Sequence, residues 1–135
     1  MSLRSGFEAD VYIWLKEEEV DFGYEEESFE LWLPVPRGHK CAECGSRRIV
    51  KRAVYTPDFF LDNGVVLETK GRFTALDRKK AVAMTEQYPD TDYRLVFQRD
   101  NKLSKKSKTR YSEWAEKQGI PWHIGRRIPN DWTTD

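Results

Sequence analysis

The stretch Thr56-Pro57-Asp58-Phe59-Phe60-Leu61-Asp62-Asn63-Gly64-Val65-Val66-Leu67-Glu68-Thr69-Lys70 decides the fold. Asp62-Asn63-Gly64 is a strong turn signal, so the apolar runs on either side read as the two arms of a β-hairpin. Phe59-Phe60-Leu61 and Val65-Val66-Leu67 carry no polar alternation, which marks strands at the centre of a sheet. Alternation along the second arm puts Glu68 and Lys70 on one face. The hairpin sets Asp58 on the neighbouring arm near the same end. Two carboxylates and an ammonium therefore converge where charge is expensive without a function. Such carboxylates can hold Mg2+, which prefers oxygen ligands and keeps several waters. The ammonium can orient an attacking water and stabilise charge on a phosphorane. A plain ion pair between Glu68 and Lys70 on an exposed strand is the bland alternative, and the apolar flanks weigh against it.

Upstream, Ser5-Gly6-Phe7-Glu8 fits the S-x-x-E capping box and predicts a helix starting near Ser5. Phe7, Val11 and Leu15 give it one buried stripe. Glu17-Glu18-Glu19 oppose the helix dipole at its end, which favours fraying there. Glu8 has two readings, a capping partner at the helix start or a third metal ligand. Phe22 to Tyr24, Phe29 to Leu33 and Ile49 to Tyr55 read as strands. Residues 37–48 read as a loop. Downstream, Thr74 is expected to cap a helix over about Ala75 to Tyr88, with Leu76, Lys80, Ala83 and Met84 on one side. Arg94 to Gln98 reads as a strand with Leu95 and Phe97 on one face and Val96 on the other. Residues 99–110 are a basic connector. Ser112 is expected to cap a third helix that ends at Gly119, with Tyr111, Trp114 and Ala115 inward. Pro121 onward reads as a tail. The order is α/β with a mixed central β-sheet flanked by helices.

The chain has 135 residues with 23 basic and 23 acidic ones, a formal net charge of zero. Five Trp, six Tyr and seven Phe exclude a disordered chain. One domain over residues 1–135 is the prior for this length. No apolar run is long enough to span a membrane, and the N-terminus lacks a charged-then-apolar signal segment, so a cytoplasmic protein is expected. Zero net charge argues at first against a nucleic-acid partner, but the average hides a division. Residues 1–36 sum to −8, 37–56 to +5, 57–71 to −2, 72–110 to +6 and 111–135 to −1. The short acidic block with Asp58 and Glu68 lies between two basic ones. A metal-dependent phosphodiesterase needs that division, with carboxylates for the cation and bases for the phosphate backbone.

Four strings now stand in order: Arg4-Ser5-Gly6-Phe7-Glu8, Tyr55-Thr56-Pro57-Asp58-Phe59, Glu68-Thr69-Lys70-Gly71 and Asp77-Arg78-Lys79-Lys80. Together with Arg94-Leu95-Val96-Phe97, Trp114 and Gly119-Ile120 they resemble the phage endonuclease I family of Holliday-junction resolvases. The resemblance covers nearly the whole chain except residues 34–52. It implies a restriction-endonuclease-like core, an intertwined domain-swapped homodimer, and metal-dependent cutting of four-way DNA junctions in a phage-infected or bacterial cell. It implies Glu8, Asp58 and Glu68 as ligands of Mg2+ or Mn2+, Lys70 as the catalytic lysine, and Glu8 supplied by the opposite subunit. Arg4, Arg72, Arg78, Lys79, Lys80, Lys102, Lys105, Lys106 and Lys108 would hold phosphates, contacts that position DNA without reading its sequence.

Residues 34–52 depart from that family as an insertion in the bridge between subunits. Cys41-Ala42-Glu43-Cys44 followed by Gly45 resembles half of a zinc ribbon. A structural Zn2+ on Cys41 and Cys44 needs further ligands, from His39, His123 or a second subunit; a disulfide and two free thiols are the alternatives. His123 reads as a packed or surface histidine, the tryptophans as core, and Glu25-Glu26-Glu27 as a solvated face. Two rival functions are another nuclease of the same fold, acting on transposon ends or repair substrates, and a non-catalytic zinc-containing DNA-binding module.

Overall fold

The computed structural model describes residues 6–34 and 50–134. Helix α1 (Gly6–Glu17) is followed by strand β1 (Phe22–Tyr24), then β2 (Phe29–Pro34) and β3 (Val50–Tyr55). The hairpin consists of β4 (Phe59–Leu61) and β5 (Val65–Lys70), with Gly64 at φ 95° in the turn. Helix α2 (Ala75–Gln87), β6 (Asp92–Phe97), α3 (Tyr111–Gln118), β7 (Trp122–Ile124) and the short α4 (Asn130–Thr133) complete the described chain.

Five strands form one mixed sheet in the order β1-β4-β5-β6-β7. The β1–β4 and β4–β5 pairings are antiparallel, while β5–β6 and β6–β7 are parallel. β2 and β3 form a separate antiparallel ribbon. Strand β5 lies in the middle and is buried from Val65 through Thr69. Alternation distributes its side chains to two cores. Val65 and Leu67 join Phe59, Val96 and the α1 stripe Phe7, Val11 and Leu15. Val66 joins Leu95, Phe97, the ribbon residues Leu31 and Leu33, and Ala81 and Met84 of α2. Each large aliphatic or aromatic side chain so buried contributes about 1.5–3 kcal/mol of transfer free energy. With both faces covered, the polar end of β5 is enclosed as well.

Several local expectations need correction. Leu76 is half exposed, because α2 turns Ala81, Ala83 and Met84 inward instead. Arg110, not Ser112, is the N-cap of α3; the Ser112 N–H and hydroxyl both donate to Asp100, at 2.9 and 2.6 Å. The end of α1 is tied rather than frayed. Glu19 takes the left-handed conformation at φ 56°, and the Val20 N–H donates to Leu15 O at 3.0 Å, closing the last turn as a C-cap motif does. The stretch after Pro121 is an edge strand and a helical turn rather than a tail. The tryptophans rim the cores instead of filling them: Trp14, Trp114, Trp122 and Trp132 are partly buried, and Trp32 is 50% exposed. Thr74 does cap α2, in a reciprocal capping box with Asp77. Ser5, Arg4, His39, Cys41 and Cys44 lie outside the described residues.

Candidate active site

The site grows from the end of β5. Glu68 and Lys70 point to the same side, with Lys70 Nζ 4.0 Å from Glu68 Oε2. Lys70 Nζ also donates to Asp77 Oδ1 at 3.2 Å. Burial opposes ionisation of Asp77, yet the Thr74 N–H and Lys70 hold its carboxyl below the usual range. The first turn of α2 thus fixes the ammonium in place. Asp58 precedes β4 and is fully buried. Its Oδ2 accepts from the Thr69 N–H at 2.9 Å and the Thr69 hydroxyl at 2.7 Å, which locks it to β5. Burial, then the charge of Glu68, pushes the Asp58 carboxyl up to about 6, against the opposing hydrogen bonds of Glu8 and Thr69.

Glu68 is 2% exposed. Its Oε2 accepts from the Tyr55 hydroxyl, which in turn lies 2.7 Å from the Tyr93 hydroxyl. Burial first, then their ionisable neighbours, raises both tyrosines well above the usual phenol range, so both remain protonated donors. The other oxygen, Oε1, is buried and meets no hydrogen-bond partner among the described residues. A buried carboxylate oxygen without a donor is costly, and such a group in a native fold suits a bound partner such as an ion.

Helix α1 brings in Glu8, buried at 3% exposure on the α1 stripe that faces the sheet. The Tyr24 hydroxyl donates to Glu8 Oε2 at 2.5 Å. The β1–β4 pairing that sets Tyr24 opposite Phe59 also carries the next residue to the site. The Glu25 N–H donates to Asp58 O at 2.9 Å, and Glu25 adopts φ 50°. One carboxylate oxygen each from Glu8, Glu25 and Asp58 lie within 4.8 Å of one another. A non-glycine residue in the left-handed region is uncommon and clusters at functional sites.

The structure therefore brings Glu8, Asp58, Glu68 and Lys70 into one neighbourhood within a single chain. It adds Glu25, which sequence reading placed in a solvated run. The only local hint was the Tyr24-Glu25 end of a short strand; the deciding contact is non-local. An all-carboxylate, partly orphaned donor set suits a hard cation such as Mg2+ or Mn2+, and lacks the sulfur and imidazole that favour zinc.

Of the residues expected on DNA, Arg72, Lys79, Lys102, Lys105, Lys106 and Lys108 are exposed, and Arg78 and Lys80 half-buried. The connector is a closed loop: Leu103 N donates to Thr109 O and Tyr111 N to Asn101 O, both at 2.9 Å, and Lys102 bridges Arg110. It presents Lys105, Lys106 and Lys108 to solvent. His123 is half-buried edge-on to Trp132 at 6.0 Å, and burial holds its imidazole below the usual range. It lies apart from the acidic cluster. No helix among the described residues is long and apolar enough to cross a membrane.

A family model described as Phage endonuclease I matches residues 45–135. The chain is 36% identical over 132 residues to Endonuclease I of Escherichia phage T7, covering 97% of this chain and 78% of that protein. It is 40% identical over 123 residues to Endodeoxyribonuclease 1 of Enterobacteria phage T3, covering 88% of this chain and 69% of that protein.

Proposed function

The chain belongs to the phage endonuclease I family, and on that premise we propose that it is a divalent-metal-dependent endodeoxyribonuclease that resolves four-way DNA junctions as a homodimer. The observation that carries this reading is the buried Glu68 Oε1, which meets no donor among the described residues, beside Asp58 and the tethered Lys70. Charge is concentrated there at a cost that folding alone does not repay.

Asp58 and Glu68, together with Glu8 and Glu25, would hold a Mg2+ or Mn2+ ion. Such an ion would neutralise a scissile phosphate and lower the pKa of water. The protein's own contribution is positional. Tyr55 holds Glu68, Thr69 holds Asp58 and Tyr24 holds Glu8, so the carboxylates are oriented before anything binds. Lys70, steadied by Asp77, presents an ammonium to the attacked phosphate, where it orients water and stabilises developing charge.

The homodimer supplies two such sites, which suits paired nicks across a junction. In the intertwined arrangement, α1, β1 and β2 would be exchanged, so Glu8 and Glu25 would reach a partner's Asp58 in the way they reach their own here. Residues 34–52 would form the bridge of a single nuclease domain with a restriction-endonuclease-like core, acting in the cytoplasm of an infected or bacterial cell. A structural Zn2+ on Cys41 and Cys44 remains part of the proposal; freshly purified protein without stoichiometric zinc removes it.

The test is incubation with a four-way junction and with its linear duplex arms, in Mg2+ or Ca2+. Symmetric cutting of the junction alone, in Mg2+, is expected. Equal cutting of linear duplex favours a nuclease for ends or repair substrates. Binding without cutting in any metal favours a non-catalytic module.

Two further expectations arise here. Glu25→Gln should raise the Mg2+ concentration for half-maximal cleavage by roughly tenfold while leaving the rate at saturating Mg2+ near that of the parent, because Glu25 is the exposed member of the cluster. An unshifted Mg2+ titration would remove Glu25 from the ion's surroundings. Replacing Lys105, Lys106 and Lys108 together by Ala should weaken junction binding and flatten its log–log salt slope by up to about 3. An unaltered slope would show that this loop does not touch phosphate.

A further inference from the structure

A groove of about 420 Å³ lies between the ribbon and helices α2 and α3, away from the acidic cluster. Its floor is apolar, from Pro34, Ala75, Val82 and Ala83. Trp32 and Trp114 contribute their indoles, Arg78 and Lys79 two cations, and Glu86 one carboxylate, so cations outnumber anions in the lining. The walls are fixed. The Gln87 amide clamps the Trp32 backbone from both sides: Trp32 N–H donates to Gln87 Oε1 at 2.9 Å and Gln87 Nε2 donates to Trp32 O at 2.8 Å. The Tyr88 hydroxyl donates to Glu30 O at 2.8 Å and ties the same strand to α2. Arg78 Nη1 donates to Phe73 O at 2.9 Å, which holds the guanidinium beside Trp114, itself packed edge-on against Phe73 at 5.1 Å.

Trp32 is half exposed on a strand clamped at its backbone, so its indole is held at the groove with area open to solvent. Aromatic faces beside cations over an apolar floor match one chemistry, an unpaired nucleobase on its phosphodiester backbone. Bases stack on the indoles, and Arg and Lys meet phosphate. We propose that this groove binds a single-stranded DNA segment, an unstacked nucleotide run leaving the branch of the substrate. The proposal rests on the DNA-cleaving reading and names a second contact for that same substrate. Adjacent residues of α2 link the two sites: Asp77 turns to Lys70, and Arg78 turns to the groove.

The test uses the full chain carrying Lys70→Ala, so that DNA is held and not cut, with a chelator present. Tryptophan fluorescence is titrated with oligothymidylate and with an abasic oligonucleotide of equal length, and four-way-junction binding is measured in parallel. Oligothymidylate should quench the emission and bind about tenfold more weakly after Trp32→Ala, the loss of one base stack, while Trp32→Phe retains most of the affinity. The abasic strand should bind weakly to parent and variant alike. Equal oligothymidylate affinity in parent and Trp32→Ala overturns the proposal, as does equal binding of the abasic strand by the parent. If the four-way junction binds and oligothymidylate does not, this inference fails alone; if neither DNA binds, the nuclease reading fails with it. Quenching that follows protein concentration without DNA assigns the groove to a second copy of the chain and also overturns the proposal.

Discussion

Lys70→Ala is expected to reduce junction cleavage by roughly 10³-fold, the scale for removing a group that stabilises developing charge, while junction binding persists. Lys70 sits where its ammonium has two fixed neighbours, Asp77 at 3.2 Å and Glu68 at 4.0 Å. Its side chain is 24% exposed, so it reaches solvent and any phosphate that arrives there. Truncation leaves Asp77 in its capping box with Thr74, and α2 keeps its start. The variant should therefore fold and bind DNA. Lys70→Met, which keeps the stem and loses the charge, should be as inactive as Lys70→Ala. Single-turnover rates at saturating Mg2+ separate chemistry from binding, and a Lys70→Ala rate within tenfold of the parent would remove Lys70 from the chemical step.

Asp58→Asn should abolish cleavage and at the same time stabilise the metal-free protein near neutral pH. The sign follows from the raised Asp58 carboxyl. Its ordinary value is 3.8 and its folded value is about 6, so the neutral form fits the fold better. The stabilisation is complete below about pH 4 and is lost as pH rises through 6. In chelator, the parent should melt progressively lower between pH 5 and pH 7.5, by roughly 5 °C or more. Asparagine cannot ionise, and its carbonyl oxygen can still accept from the Thr69 N–H and hydroxyl. Asp58→Asn should thus show a flatter profile and a higher melting temperature than the parent at pH 7.5. Mg2+ should raise the parent's melting temperature and leave the variant's unchanged, because ligand binding stabilises only a site that exists. A variant that melts below the parent at pH 7.5 and still responds to Mg2+ would contradict this.

The two predictions share one feature of the sheet. The gathering of Asp58, Glu68 and Lys70 was legible because the turn at Asn63-Gly64 and the period of a strand are local rules. They bring Asp58 beside Glu68 and Lys70 without help from the rest of the chain. The enclosed environment was legible too, from apolar runs lacking alternation. Residues reaching the site by tertiary pairing were harder to read. Glu8 satisfied a capping pattern, and only the family resemblance raised it above that. Glu25 stood in a run of three glutamates that any solvated loop would carry. What selects it is the pairing of Tyr24 with Phe59, a contact across more than thirty residues of chain. The tail was misread for a similar reason: Trp122–Ile124 is too short to show a period, and it becomes a strand only because β6 offers a parallel edge. Leu76 misled in the opposite sense, as an apolar residue at a helix start that α2 leaves in water.

The central claim is that Asp58 and Glu68 hold the ion under Lys70. Anomalous diffraction from crystals soaked in Mn2+ tests it most directly. The account predicts a manganese peak bonded to Asp58 and to Glu68 through Oε1, with the Glu8 and Glu25 carboxylates on the remaining side. A protein active in Mn2+ whose only manganese peaks lie away from Asp58 and Glu68 would contradict it.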